Sequence, residues 1–157
     1  MRNLNSEGAS SFERLLCALD FFSARLGRKR ATPAHLLLGI RGEEAAFFYL
    51  RNRGYVITAR SWRSHRYAGD IDLIGWDEEC LCFIEVKTRT TRSVATAESA
   101  VDQHKRKTLR RIARHYLRQL PAPQAIRFDV LSIYFEAATL PDFILFENAF
   151  GWSEEIY

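Results

Sequence analysis

Cysteine is scarce in this chain: Cys17, Cys80 and Cys82 are odd in number and contain no C-x-x-C pair. A disulfide framework or a zinc ribbon is therefore not indicated, and a reducing, cytoplasmic setting is expected. No apolar run approaches the ~20 residues of a membrane-spanning helix, so no membrane partner is expected. The N-terminal stretch lacks the unbroken apolar segment and small-residue cleavage site of a secretory signal, with Asp20 interrupting its best apolar run. A Walker loop, a G-x-G-x-x-G fingerprint and a G-x-S-x-G elbow are all missing, which removes the usual signs of nucleotide binding and serine hydrolysis. His35, His65, His104 and His115 show no metal-ligand spacing and read as structural or surface residues.

Acids are also missing where they matter most. His104 to Arg118 carries Lys105, Arg106, Lys107, Arg110, Arg111, Arg114 and Arg118 with no Asp or Glu, in a chain whose net charge is only +4. The remainder is net acidic, so the basicity is local and suits an anionic partner. A solvated helix face is the plainer use of the same residues, since Arg is a good helix former. A second basic group, Arg60, Arg63, His65 and Arg66, has Trp62 and Tyr67 beside it, aromatics that serve either as core or as stacking surfaces for bases. Nucleic acid, with DNA first, is the expected partner, through Arg63, Arg66, Lys105, Arg106, Arg110 and Arg114.

What is present is enough for one domain. In 157 residues, 47% hydrophobic and 13% aromatic content supports a single sizeable core. Ser10 and Glu13 have capping-box spacing, and Phe12, Leu15, Leu16, Leu19, Phe22 and Leu26 recur at helical intervals, so residues 1–33 are expected to form a helical extension. Thr32-Pro33 opens a second helix over 34–53, stopped by Gly54. A strand over 55–62, a basic turn and two more strands follow, then a Thr- and Arg-rich loop over 88–96. Leu109, Ile112, Ala113, Tyr116 and Leu117 mark a helix that Pro121 and Pro123 end, while Arg106, Arg110, Arg114 and Arg118 step by four along another face. A strand over 126–135 and a short one over 143–146 complete an α/β domain spanning 34–150, with 151–157 as a tail.

The stretch GDIDLIGWDEECLCFIEVK, Gly69 to Lys87, places acids in strands, where they are normally depleted. With Asp77 to Cys80 as a four-residue loop, Trp76 pairs Leu81 and Asp72 faces Glu85. Alternation then puts Asp70, Asp72, Ile74, Trp76, Leu81, Phe83, Glu85 and Lys87 on one side, and Ile71, Leu73, Gly75, Cys82, Ile84 and Val86 on the other. Opposed like charges are destabilising and call for compensation. Mg²⁺ or Mn²⁺ on Asp72 and Glu85 supplies it, with Lys87 beside the metal to orient water or neutralise charge on a phosphate. Alternatively, Lys87 forms a simple salt-bridge cluster with Asp70 and Glu85 at a solvated sheet end. Asp129 reads as a local hydrogen-bond partner.

Taken together, G-E-x-A at Gly42, G-D-I-D-L-I at Gly69, F-I-E-V-K-T-R at Phe83, A-E-x-A-V at Ala97 and R-F-D-V at Arg127 resemble the YraN family. That family is similar to the PD-(D/E)xK restriction-endonuclease-like superfamily, especially the archaeal Holliday junction resolvases. The resemblance runs from about His35 to Phe150 and implies a three-layer α/β/α core with a mixed sheet. It also implies Asp72 and Glu85 as metal ligands, Lys87 as the catalytic lysine and Glu43 as an additional acid. Asp70 stands where the family usually has Glu. The activity implied is metal-dependent hydrolysis of DNA, on branched or damaged substrates in repair or recombination, and resolvase likeness implies a homodimer. A nucleic-acid-binding or adaptor protein that keeps the fold without turnover is the alternative.

Overall fold

The computed structural model describes residues 34–90, 101–122, 125–136 and 140–152. The chain divides into two units, Met1–Leu37 and Leu38–Tyr157. The expected N-terminal helix and the Thr32-Pro33 start lie outside the described residues, as do most of the 88–96 loop and the 151–157 tail beyond Trp152. Among the described residues the order is α1 (Ala34–Asn52), β1 (Val56–Arg63), β2 (Asp70–Asp77), β3 (Cys80–Arg89), α2 (Gln103–Leu117), β4 (Ala125–Tyr134) and β5 (Asp142–Phe150).

The five strands form one mixed sheet in the order β1-β2-β3-β4-β5. β3 and β4 run parallel and the other neighbouring pairs antiparallel. A parallel pair cannot be joined by a tight turn, and α2 lies in the crossover between these two. One face of the sheet packs Ile74, Leu81, Phe83, Phe128 and Val130 against Leu109, Ile112 and Ala113 of α2. The other packs Leu73, Cys82, Ile84, Leu131 and Ile133 with Ala45, Ala46 and Leu50 of α1. Helix, sheet and helix make the three-layer α/β core expected from the sequence. No helix among the described residues is long and apolar enough to cross a membrane.

Local chemistry sets the element ends. Gly54 has φ +97°, which only glycine adopts freely, and Tyr55 N–H returns to Leu50 O at 3.1 Å to close α1. Asp102 caps α2 by accepting the Lys105 N–H at 2.8 Å. In the β2–β3 hairpin the pairs Trp76 with Leu81 and Leu73 with Ile84 have the expected register. The connection is shorter than expected, because Asp77 pairs Cys80 and only Glu78 and Glu79 remain between them, Glu78 at φ +51°.

Three expectations need correction. β3 continues through Thr88 and Arg89, extended by parallel pairing with Ile133 and Tyr134. β5 is nine residues long, and its alternation is broken near Asn148, at φ +50°, where its register with β4 shifts. Ile71 packs on the α2 face with Ile74, while Leu73 packs on the α1 face. The reason is local. Arg60 pairs Leu73 and Trp62 pairs Ile71, and between them Ser61 has φ +44°, which turns the paired strands over at Ser61 and Asp72.

At the far end of the sheet Arg127 holds a buried ionic cluster. Its Nε lies 3.0 Å from both oxygens of Asp129, which is fully buried, and its Nη2 reaches Asp77 Oδ2 at 2.7 Å and the Tyr55 hydroxyl. Asp129 Oδ1 also accepts the Asn148 N–H at 2.9 Å, where the β4–β5 register shifts. Asp129 is thus a local hydrogen-bond partner, and the cluster ties β2, β4 and β5 together.

Helix α1 approaches β3 closely at Gly42. A Cβ there would lie 2.0 Å from Thr88 Oγ1 and 3.2 Å from Thr88 Cβ, whereas one at Gly39 meets nothing within 4 Å. We therefore expect Gly42→Ala to cost about 1–3 kcal/mol in denaturant unfolding through overpacking. Gly39→Ala should instead gain about 0.5–1 kcal/mol from helix propensity, and equal effects at the two positions would refute the close approach.

Candidate active site

The regular β2–β3 ladder runs from Asp77 with Cys80 to Leu73 with Ile84. At the next position the Asp72 carboxylate enters, and its Oδ2 accepts the Val86 N–H at 2.7 Å. A side chain thus takes a backbone donor, and the two strands part around a carboxylate at the centre of the sheet.

Glu85 stands next to this opening on β3, only 4% exposed. Lys87 Nζ donates to its Oε1 at 2.9 Å. Lys105 Nζ, from the first turn of α2, lies 3.1 Å from Oε2 and 3.9 Å from Asp70 Oδ1. Each oxygen of the buried Glu85 carboxylate thus faces an ammonium group, Oε1 that of Lys87 and Oε2 that of Lys105. Burial works against the Lys105 charge, but Glu85, Asp72 and Asp70 outweigh it and raise its pKa.

Glu43 comes from α1, one residue past the close approach at Gly42. Its Oε2 accepts a hydrogen bond from Ser61 Oγ at 3.0 Å, and its charge acts on Asp72. Ser61 is the strained residue opposite the ladder opening, so the kink in β1 both turns the strand and anchors Glu43. Asp70 sits at the rim, its Oδ2 paired to Arg63 at 3.3 Å.

The basic residues divide. Lys105 joins the acids. Arg63 is well exposed, and Arg66 sits in the β1–β2 loop, where its N–H donates to Ser64 Oγ at 3.1 Å. Arg106 and Arg110 both lie over the Phe150 ring at 5.6 Å, donating to Val101 O at 2.8 Å and Gly151 O at 2.9 Å; Arg110 is buried. Arg114 covers the Trp152 ring at 5.1 Å. This row therefore holds the end of β5 and the residues after it, while α2 turns His104, Lys107 and Arg111 outwards. Trp62 meets Tyr116 edge-on at 5.2 Å, and His115 Nδ1 is bonded to Ser64 Oγ at 2.8 Å, so both belong to the packing.

Sequence reasoning assigned Lys105 to DNA contact and missed its place among the acids. The signal was there: Lys105 continues the stripe of Leu109, Ile112 and Tyr116 that faces the sheet. Ser61 gave no signal, because its role depends on its backbone angle.

The family model described as uncharacterised protein family UPF0102 matches residues 42–133. The chain belongs to this family. It is the family, also called YraN, that the motifs resemble. A UPF0102 protein of Koribacter versatilis is 50% identical over 123 residues, covering 78% of this chain and 85% of its own. One from Solibacter usitatus is 42% identical over 115 residues, 73% of this chain and 85% of its own. Another from Nocardia farcinica is 44% identical over 111 residues, with 70% and 81% covered. The match to the family model includes Glu43, Asp72, Glu85, Lys87 and Lys105 and ends before β5 and Trp152.

Among the described residues no three His, Cys, Asp or Glu side chains converge as a metal cluster. The donors at hand are the carboxylates of Asp72 and Glu85, buried hard oxygens of the kind Mg²⁺ and Mn²⁺ prefer, close enough that the charge of one acts on the other. They fit such an ion as a partial set that water and phosphate oxygens would complete.

Burial pushes the Asp72 carboxyl up to about 7, with the Glu85 charge acting in the same direction and the Val86 N–H and Lys105 opposing. A carboxyl whose folded pKa is raised favours folding while protonated, and that contribution is lost as pH rises from about 4 through 7. In chelator, Asp72→Asn should therefore stabilise the chain on the order of 2 kcal/mol at pH 8 and progressively less towards pH 5. Thermal melts across that range check it, and a pH-independent difference would show that Asp72 is not the titrating group.

Proposed function

We propose that this chain is a divalent-metal-dependent endonuclease that hydrolyses phosphodiester bonds in DNA, acting on branched or damaged substrates. The observation that carries the reading is the opened β2–β3 ladder, with the Asp72 carboxylate beside a buried Glu85 and Lys87 within 2.9 Å of the latter. Buried acids with incomplete compensation are poor stabilisers and are the usual mark of a working site. The resemblance of the D…E-x-K set to the restriction-endonuclease-like superfamily points to the same chemistry.

Asp72 and Glu85 would hold Mg²⁺ or Mn²⁺, which when bound polarises a phosphate oxygen and lowers the pKa of a water. The Lys87 ammonium meets negative charge as it develops on the phosphate and orients the attacking water. Glu43, anchored by Ser61, takes a hydrogen bond from that water and fixes its direction. Arg63 and Arg66 in the exposed β1–β2 loop pair with backbone phosphates near the rim of the site.

A second reading has its own observation. Lys87 and Lys105 together set two ammonium groups on Glu85, at 2.9 and 3.1 Å, which neutralises the acid without a metal. That favours a nucleic-acid-binding protein that keeps the fold without turnover.

Labelled four-way junctions, flaps, single strands and supercoiled plasmid, incubated with Mg²⁺ or Mn²⁺, separate the two. We expect cleavage by the parent chain, reduced about 10²-fold or more in Lys87→Ala. Calorimetric Mn²⁺ binding should be lost in Asp72→Asn. DNA binding without cleavage by the parent, together with unchanged Mn²⁺ affinity in that variant, would establish the second reading.

A further inference from the structure

A groove of about 430 Å³ runs along the outward side of α2, away from the acids. His104, Lys107, Arg111 and Arg114 supply its exposed wall, Arg110 its buried base and Trp152 its far side, with no acid in the lining among the described residues. Trp152 is fixed in place. It stacks on Phe128 at 5.6 Å and 17°, and Arg114 lies over its ring. Arg111 in turn covers Tyr67 of the β1–β2 loop at 5.1 Å.

We propose that this groove binds a single-stranded stretch of nucleic acid, one unpaired base stacking against the Trp152–Arg114 pair while Lys107 and Arg111 neutralise the adjoining phosphates. The inference deepens the nuclease reading, on which it rests for where the strand leads, by giving the substrate an unpaired flank. Basic grooves with a stacking surface are the general solution to single-strand binding, since every base has a face to offer. Bases paired in a duplex keep those faces buried, and an aromatic or guanidinium plane reaches only a base that has left the stack. The volume is at the small end for ligand pockets and suits a nucleotide unit, not a double helix.

Position supports the same occupant. Lys105 enters the acid cluster from the turn of α2 that also carries His104 and Lys107, and Arg114 stands about 13 Å further along the helix axis. A strand leaving the acids along α2 would therefore pass Lys107 and Arg111 before reaching Trp152. A free nucleotide has the same chemistry as one unit of the strand, and the experiment must tell the two apart.

The test is fluorescence anisotropy with the full chain in EDTA, using a labelled oligothymidine of about 12 nucleotides and a blunt duplex of the same length. Trp152→Ala should lower single-strand affinity roughly tenfold and leave duplex affinity within about twofold, with Trp152→Phe restoring most of the loss. Lys107→Glu should weaken the single strand in the same selective way. Equal losses on both probes, or no loss on either, would overturn the proposal. Thymidine monophosphate competing as well as the oligomer would overturn it in favour of a nucleotide site. Because no cleavage is needed, selective single-strand binding by a chain that never cuts would defeat the nuclease reading and leave the groove standing. Cleavage of flapped DNA unaffected by Trp152→Ala and Lys107→Glu would do the reverse.

Discussion

The carboxylate of Glu85, buried in the central strand between two ammonium groups, is the constraint on which the arrangement of the sheet and α2 turns. An acid at 4% exposure survives in a strand only with charge brought to it. One cation comes from its own strand, two residues on. The other comes from Lys105, whose backbone N–H is also the group that Asp102 caps. The residue that completes the start of α2 thus carries the side chain that meets the buried acid, so the cap and the ion pair fix the helix together. Asp72 adds a second carboxylate to the same space and takes the Val86 N–H out of the ladder to do so.

The two buried ionic groups of this sheet have opposite character. Around Arg127 the polar groups are well paired: Asp129 accepts from the guanidinium Nε and from Asn148 N–H, and Asp77 and Tyr55 accept from Nη2. Such a network rigidifies and fixes register, here at the β4–β5 irregularity. Around Glu85 the balance fails. Asp72 and Glu85 share one space, burial and the Glu85 charge push the Asp72 carboxyl up, and Ser61 holds a left-handed backbone angle beside them. The acid-rich opening at one end and the closely bonded Arg127 network at the other give the two ends of the sheet different electrostatic character.

Much of the fold was legible because hydrophobic period and turn residues agree with it. The stripe of Leu109, Ile112 and Ala113 gave α2, and the hairpin register followed from a short acidic turn between two apolar runs. What escaped depends on backbone angles and distant partners. The change of face between Ile71 and Leu73 comes from one positive φ at Ser61, a residue type with no turn preference strong enough to announce it. The length of β5 is hidden by the irregularity at Asn148, which the Asp129 carboxylate stabilises from another strand. Within the site, the hairpin register brought Asp72 to the neighbourhood of Glu85 although the strand turns over there, while the place of Lys105 had to be read from the stripe it shares with Leu109 and Ile112.

The absence of acids from α2 now has a physical account that a single use would not supply. Each face of the helix meets a partner that would reject a carboxylate. Lys105 faces Glu85 and Asp70, so an acid there would bring another like charge to an already crowded site. Arg106, Arg110 and Arg114 lie over Phe150 and Trp152, whose ring faces attract cations and repel anions, and Arg106 and Arg110 also donate to backbone carbonyls. Lys107 and Arg111 line the outward groove. Structural demands thus explain the first two faces without any ligand. The outward face, where His104 and Arg111 are exposed, is where the local excess of positive charge meets solvent.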